Sequence, residues 1–482
     1  NTSVAGGGIC LFARSTAQLT NSNINNVSVR LDGRFAHCKA YGGATFATQS
    51  SSAFLTDCIL TFCESTANLG AVAGGACFLH DNSQFFLSGC NLLHLRCFTD
   101  GVLAHGGSIH ADNSGVHAAN CRVVDSVVMS AAFHGLSIGG GFSFANSAVA
   151  LDSMTIRQCA ARSTQFAVGG GMIFERSSVL LTSSSVSDCS AASDYTYSGL
   201  TRVHREGLDF HPFILPSPYV DQVAGGFLLT FESYVDIQNT EIRDCRVDQN
   251  FGDSLTMGGG LQLCGWNDFQ LLKSSVTNAT CESRNGLGFT FGGGISCFRA
   301  EIMSAGQFGL LGSGMRIVLK SCLLLSCTSS AAVQAQGGGI AFVLASVYGI
   351  TLVDIHRCRI SECKAVSGII PRAVGSLRAQ GGGVYVLGAT PVQDANSVNI
   401  TLRGTSVDHC SAENLRENFC QLTNDSICLS QVVGISQSRV PLYSFVIFRK
   451  LFQAFLPAYN VCNNSNIMRR CHGMLAFPTT KR

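Results

Sequence analysis

A chain of 482 residues that is 46% hydrophobic and only 13% charged, with 52 Gly, 8 Pro and 23 Cys, is unlike a disordered segment, which needs high charge and few apolar residues. Its 32 Lys and Arg against 30 Asp and Glu leave a net charge of +2, which excludes the broad basic footprint of a nucleic-acid-binding protein. No run of 18 or more apolar residues occurs, so the positive mean hydropathy of +0.26 is spread along the chain and marks no membrane-spanning helix.

The first residues, Asn1 to Phe12, lack the basic and apolar regions of a signal peptide and already contain a repeat motif. A leader is therefore expected to have been removed or never to have belonged to this stretch, and the parent chain to be longer. From Gly6 onward a glycine cluster followed by a small or apolar residue recurs. The copies begin at Gly6, Gly42, Gly74, Gly106, Gly139, Gly169, Gly225, Gly258, Gly292, Gly337 and Gly381. The usual interval of about 30 to 36 residues is the period of a solenoid, and three longer intervals read as insertions.

After each cluster the apolar residues alternate, as in Met172/Phe174, Leu261/Leu263 and Val384/Val386, which is the period of a strand with one buried face. A second alternating segment follows, as in Val149/Leu151 and Val235/Ile237. A third ends in an apolar-x-x-Cys motif, read at Cys38, Cys63, Cys159, Cys189, Cys245, Cys327, Cys363 and Cys410, with Cys97 and Cys281 as looser matches and Ser126 in the slot of one repeat. Three short strands per repeat without helical periodicity predict one coil of an all-β, right-handed parallel β-helix, and the glycines exclude a helical solenoid. About eleven coils at roughly 4.8 Å each would make a rod on the order of 50 Å long.

The glycine clusters are expected at corners with positive φ and close coil-to-coil approach. A phosphate-cradling loop is not expected, because no copy is followed by Lys-Ser/Thr and a helix. If the third strand is in register, Cys38, Cys63, Cys97, Cys159, Cys189, Cys245, Cys281, Cys327, Cys363 and Cys410 stack in one internal column at a separation that a disulfide tolerates. Buried thiols that act as small hydrophobes are the favoured state, reduced or only partly bridged. Cys58, Cys322 and Cys358 lie five residues before Cys63, Cys327 and Cys363. In a continuous strand that odd spacing would point the two sets to opposite faces unless a bend intervenes. No metal site is expected, because no CxxC pair or His/Cys cluster has ligand spacing.

The domain 1–415 is thus expected to be the β-helix, interrupted by an insertion at 191–223 and smaller ones at 299–315 and 366–378. The first of these gathers Tyr195, Tyr197, Arg202, His204 and Arg205 and is the candidate partner-contact loop. A C-terminal cap or extension is expected over 416–482, with Cys420, Cys428, Cys462 and Cys471 as disulfide candidates. Within it, apolar residues recur at helical spacing between Pro441 and Tyr459. That helix is expected to cap the core, and 441–459 is the only segment suited to membrane contact. Sequons at Asn1, Asn26, Asn278, Asn399, Asn424 and Asn463 point to a secreted or cell-surface glycoprotein.

Glycine-glycine-apolar motifs in phase with an apolar-x-x-Asn motif characterise the polymorphic outer-membrane proteins of chlamydiae, and from about residue 6 to about residue 412 the chain resembles them. It departs in placing Cys where they place Asn, as in Ile360-Ser361-Glu362-Cys363, and in lacking a recognisable autotransporter barrel. The resemblance implies a surface-exposed adhesive or structural rod with no catalytic residue or cofactor to carry over. The expected function is accordingly a non-catalytic extracellular rod or filament subunit, with protein partners or self-association along its length and surface glycans as further contacts. A scaffold within a larger complex is the first alternative and a polysaccharide-acting enzyme the second. The enzyme would need clustered carboxylates, whereas Asp152, Asp188, Glu241 and Asp244 occur mostly singly and read as turn residues.

Overall fold

The computed structural model describes residues 3–414 and 427–430, except 33–38, 133–134, 165, 194–220, 251–253, 266, 285–287, 300–314, 333, 345–350, 369–377 and 389–397. These residues form a parallel β-helix. Its first coil contains β1 (Ser3–Ala5), β2 (Ile9–Leu11), β3 (Thr16–Thr20), β4 (Asn23–Asn25) and β5 (Ser28–Leu31). Every later coil repeats the same five strands, so that five parallel sheets run the length of the rod, here numbered first to fifth after the strands that begin them. Four contain eleven strands; the second contains a twelfth, Ile427–Ser430, paired with Val384–Gly388.

The expected three strands per coil are therefore five. The reason is local. What the sequence shows as one alternating run is broken at two corners by a residue in the left-handed region, such as Ser153 (φ 53) before the fourth strand and Gln158 (φ 56) before the fifth. At each of these corners two residues join the strands, the first left-handed and the second turned inward. The spacing holds in every coil, from Asn21-Ser22 and Asn26-Val27 in the first to Gly404-Thr405 and His409-Cys410 in the last. The glycine corner between the first and second strands is equally constant at three residues. All variation in repeat length is confined to the two other corners, second to third and fifth to first. The three expected insertions fall there, and apart from their flanks they lie outside the described residues.

The glycine clusters and the cysteine motif are in phase because they face each other across the coil. A Cβ on Gly140 would lie 1.9 Å from the carbonyl oxygen of Gly170 in the next coil and 2.4 Å from the carbonyl carbon of Ala160, the first residue of the fifth strand in its own coil. The backbone here touches backbone on two sides, which only glycine permits. This pinch divides the cross-section. The large lobe, between the second, third and fourth sheets, holds the main core, including Phe85, Phe142, Phe144, Phe174, Phe269 and Phe342. The small lobe, between the fifth and first sheets, is filled by Val29, Val72, Ala104, Val128, Ala161, Ala167, Ala191 and Val247, residues short enough for two closely spaced sheets. Each coil buries its inward residues on the coils above and below, so stability accumulates along the rod by neighbour contacts.

Candidate functional site

The residues singled out in the sequence converge on the corner between the fourth and fifth sheets. Its inward column reads Val27, Cys63, Leu95, Ser126, Cys159, Cys189, Cys245, Ala279, Cys327, Cys363 and Cys410, each immediately before a fifth strand. Cys97 and Cys281 do not belong to it. Strand register places them two residues further on, aligned with Val128 and Val247, and Cys97 joins the small-lobe cluster. Leu95 and Ala279 occupy the ladder in those two coils. Cys38 lies outside the described residues, and the ladder position of its coil is filled by Val27.

A second inward column lies one corner earlier, where Cys58, Cys90 and Cys121 are consecutive, as are Cys322 and Cys358. The left-handed residues Phe62, Ser326 and Glu362 supply the bend that turns both columns into the core despite their odd spacing. Sequence reasoning missed Cys90 and Cys121 because the coils that hold them carry Leu95 and Ser126, not Cys, at the following corner.

The two columns share one chemistry. Where it is Cys, Ser or Thr, the inward side chain donates to a carbonyl, most often the one two residues back: Cys189 to Ser187 at 3.5 Å, Cys245 to Arg243 at 3.3 Å, Ser184 to Thr182 at 2.7 Å and Thr240 to Gln238 at 2.9 Å. Backbone N–H groups reach the side chain of the following coil, as Met154 N to Ser184 Oγ at 3.1 Å and Cys322 N to Cys358 Sγ at 3.4 Å. Ser, Thr and Cys are interchangeable here because each supplies a short second donor to a carbonyl that already accepts a backbone N–H from the preceding coil, as Thr182 O does from Ser153 N at 3.0 Å. Ser126, in the thiol column, bonds Ser108 Oγ at 2.8 Å and the Gly140 carbonyl at 3.0 Å.

Burial and thiol–thiol hydrogen bonds split these columns into raised and lowered members, with Cys90, Cys189 and Cys358 held low by a hydrogen bond with a neighbouring thiol. Burial pushes Cys63 up to about 11 and holds Cys97 and Cys281 higher still. In the stack Cys159–Cys189–Cys245, hydrogen bonds with Cys159 and Cys245 hold Cys189 below its ordinary value, while Cys159 is raised by its hydrogen bond with Cys189 and by burial, and Cys245 by burial and then by the same neighbour. A thiol held protonated is neither nucleophile nor metal ligand. Eighteen of the described cysteines, all between Cys10 and Cys410, are unbridged, and among the described residues no three His, Cys, Asp or Glu side chains are grouped to hold a metal ion.

On the outside of the same corner, Asn26 (φ 54) and Asn278 (φ 51) occupy equivalent left-handed positions with exposed side chains. Asp188 and Asp244 share that column as turn residues; Asp188 pairs with Arg157 at 3.1 Å and Asp244 accepts from Asn278 at 3.2 Å. Asp152 and Glu241 end a third strand and begin a fourth strand. Asn399 lies in the strand Val398–Arg403. Asn1, Asn424 and Asn463, the loop residues Tyr195, Tyr197, Arg202, His204 and Arg205, and Cys420, Cys462, Cys471 and 441–459 lie outside the described residues. Cys428 sits in the twelfth strand of the second sheet, in register with Tyr385. No family model, curated protein or solved structure matches the chain.

Proposed function

We propose that the chain is a non-catalytic extracellular or cell-surface rod whose role is adhesive or structural. The observation that carries this reading is the pair of sequon asparagines at equivalent exposed corners of a stack of eleven coils, Asn26 in the first and Asn278 in the eighth. A carbohydrate attached at either would project away from the core without disturbing a strand, since both residues precede the inward-turned position and take no part in the main core. The thiol and hydroxyl columns support the same reading, because they spend the reactive side chains of the repeat on hydrogen bonds to backbone carbonyls. The resemblance to the chlamydial surface proteins belongs with it, the Cys-for-Asn exchange keeping a hydrogen-bond donor at the corner.

The experiment is peptide mass spectrometry of the protein from its native source, alkylated before any reduction. Glycans at Asn26 and Asn278 are expected. Bare sequons in a protein recovered from the cell interior would overturn the surface reading in favour of a scaffold in an intracellular assembly.

A further inference from the structure

Five positive side chains lie close together on the outer side of the corner between the third and fourth sheets in coils eight to eleven. Lys273 and Arg357 are the left-handed residues of that corner, two coils apart. Lys320 and Arg403 end third strands, also two coils apart, with His356 between them in register. All four cations are exposed, and among the described residues none has a carboxylate partner. Arg359 adds a fifth positive charge, tethered to Asp408 at 3.6 Å.

Three of these groups, Lys273, Arg357 and Arg359, line a concavity of about 540 Å³ together with one carboxylate, Glu241, at its edge and the polar side chains of Asn239, Ser275 and Ser321. The backbone holds the spacing rigidly. Lys273 N donates to the Lys320 carbonyl at 2.9 Å, Ser321 N to His356 at 2.9 Å and Arg357 N to Arg403 at 2.8 Å. Each column therefore presents a cation every second coil, about 10 Å apart along the rod. The Arg357 stem lies over Gly404, the glycine that occupies the next corner of its column.

We infer that this groove binds a linear acidic glycan with one anionic group per disaccharide repeat. Unpaired, exposed cations at a fixed interval are complementary to a polymer whose charges recur at a matching interval, and Asn and Ser side chains between them suit sugar hydroxyls. A single-stranded nucleic acid would need ring faces on which bases stack, and no Phe, Tyr or Trp lines the groove. The inference rests on the surface-rod reading for its biological setting, while binding in vitro stands apart from localisation, so either can fail alone.

The test is titration of the full chain with a hyaluronan decasaccharide, a neutral dextran of equal length and oligo(dT) of equal charge. Hyaluronan is expected to bind and dextran not to. Raising NaCl tenfold should weaken hyaluronan binding at least ~10-fold, because the contacts are ionic. The double substitution Lys273→Gln with Arg357→Gln should weaken it at least tenfold with an unchanged thermal transition, while Arg122→Gln, exposed on a fourth strand in coil four, should leave it intact. No hyaluronan binding, binding that the double variant retains, or oligo(dT) binding of equal strength would each overturn the inference.

Discussion

The glycine cluster 139–141 offers a test of the pinched cross-section, because its three positions meet different surroundings within one corner. An added Cβ at Gly140 would stand 1.9 Å from the Gly170 oxygen and 2.4 and 2.6 Å from backbone atoms of Ala160. None of these is the movable end of a side chain, so the corner must shift by more than about 1 Å to restore ordinary contact. That shift loosens the bonds from Gly139 N to Val168 O, Gly140 N to Gly169 O and Gly141 N to Gly171 O, which measure 2.9, 2.9 and 2.8 Å. At about 1 kcal/mol each, Gly140→Ala should cost about 3 kcal/mol or more. Gly141→Ala meets the Gly171 oxygen at 2.8 Å and the Cys159 sulfur at 3.2 Å. Equivalent positions in the second and third coils already hold Ala44 and Ala76, both fully buried. Its cost should stay below about 1 kcal/mol.

The assay is urea unfolding of both variants followed by far-UV circular dichroism, with midpoints compared directly because a solenoid need not unfold in two states. Equal midpoints, or Gly141→Ala the weaker of the two, would refute the assignment of the second glycine as the point of backbone contact.

Two further expectations rest on buried titratable groups. Burial raises the Glu175 carboxyl from its ordinary 4.5 to about 7, so folding favours its protonated form; its contribution is fully present below pH 4.5 and is lost as pH rises through 7. Glu175→Gln should therefore raise the midpoint of thermal unfolding at pH 8 and change it little at pH 4.5, and equal shifts at both pH values would count against the buried-carboxyl account. Brief alkylation of the native protein at pH 8 should label exposed Cys10 and spare Cys159, Cys189 and Cys245, which react only after denaturation; rapid labelling of those three in folded protein would show that the ladder is open.

Much of this fold was legible because glycine and cysteine mark corners whose length never varies. The eleven clusters counted the coils, since each is followed by one strand of every sheet. The left-handed corner residues were not legible, because Phe62, His94, Asp125, Gln158 and Glu362 share no side-chain chemistry; the position is dictated by the backbone turn and the donor that follows it. That is why five strands read as three, and why Cys97 and Cys281, lying two residues past the true ladder position, passed as members. The thiol column was visible as a repeated letter. Its partner column was not, because Ser184, Thr240, Ser274 and Thr405 do the same work as Cys58 and Cys322 under other letters. The cationic groove was missed altogether, since Lys273, Lys320, Arg357 and Arg403 are far apart in sequence and adjoin only when coils are stacked.

The constancy of three corners bears on how such a rod acquires a binding surface. At the second-to-third and fifth-to-first corners the chain varies in length, from two residues between Asp112 and Gly115 to twenty-seven between Ser193 and Asp221, and contacts built there can change by insertion. At the third-to-fourth corner no coil carries an insertion, because the N–H of each left-handed residue must meet the carbonyl that ends the third strand of the next coil, as Lys273 N meets Lys320 O at 2.9 Å. A surface on that corner can change only by exchanging outward side chains at a spacing set by strand pairing. Cations at such positions need no ordering of backbone when a ligand arrives, and the entropy lost on binding is then limited to the side chains and the polymer. The fixed corner is for that reason the better place for a site that reads a repeating ligand, and the variable corners for contacts that need shape more than period.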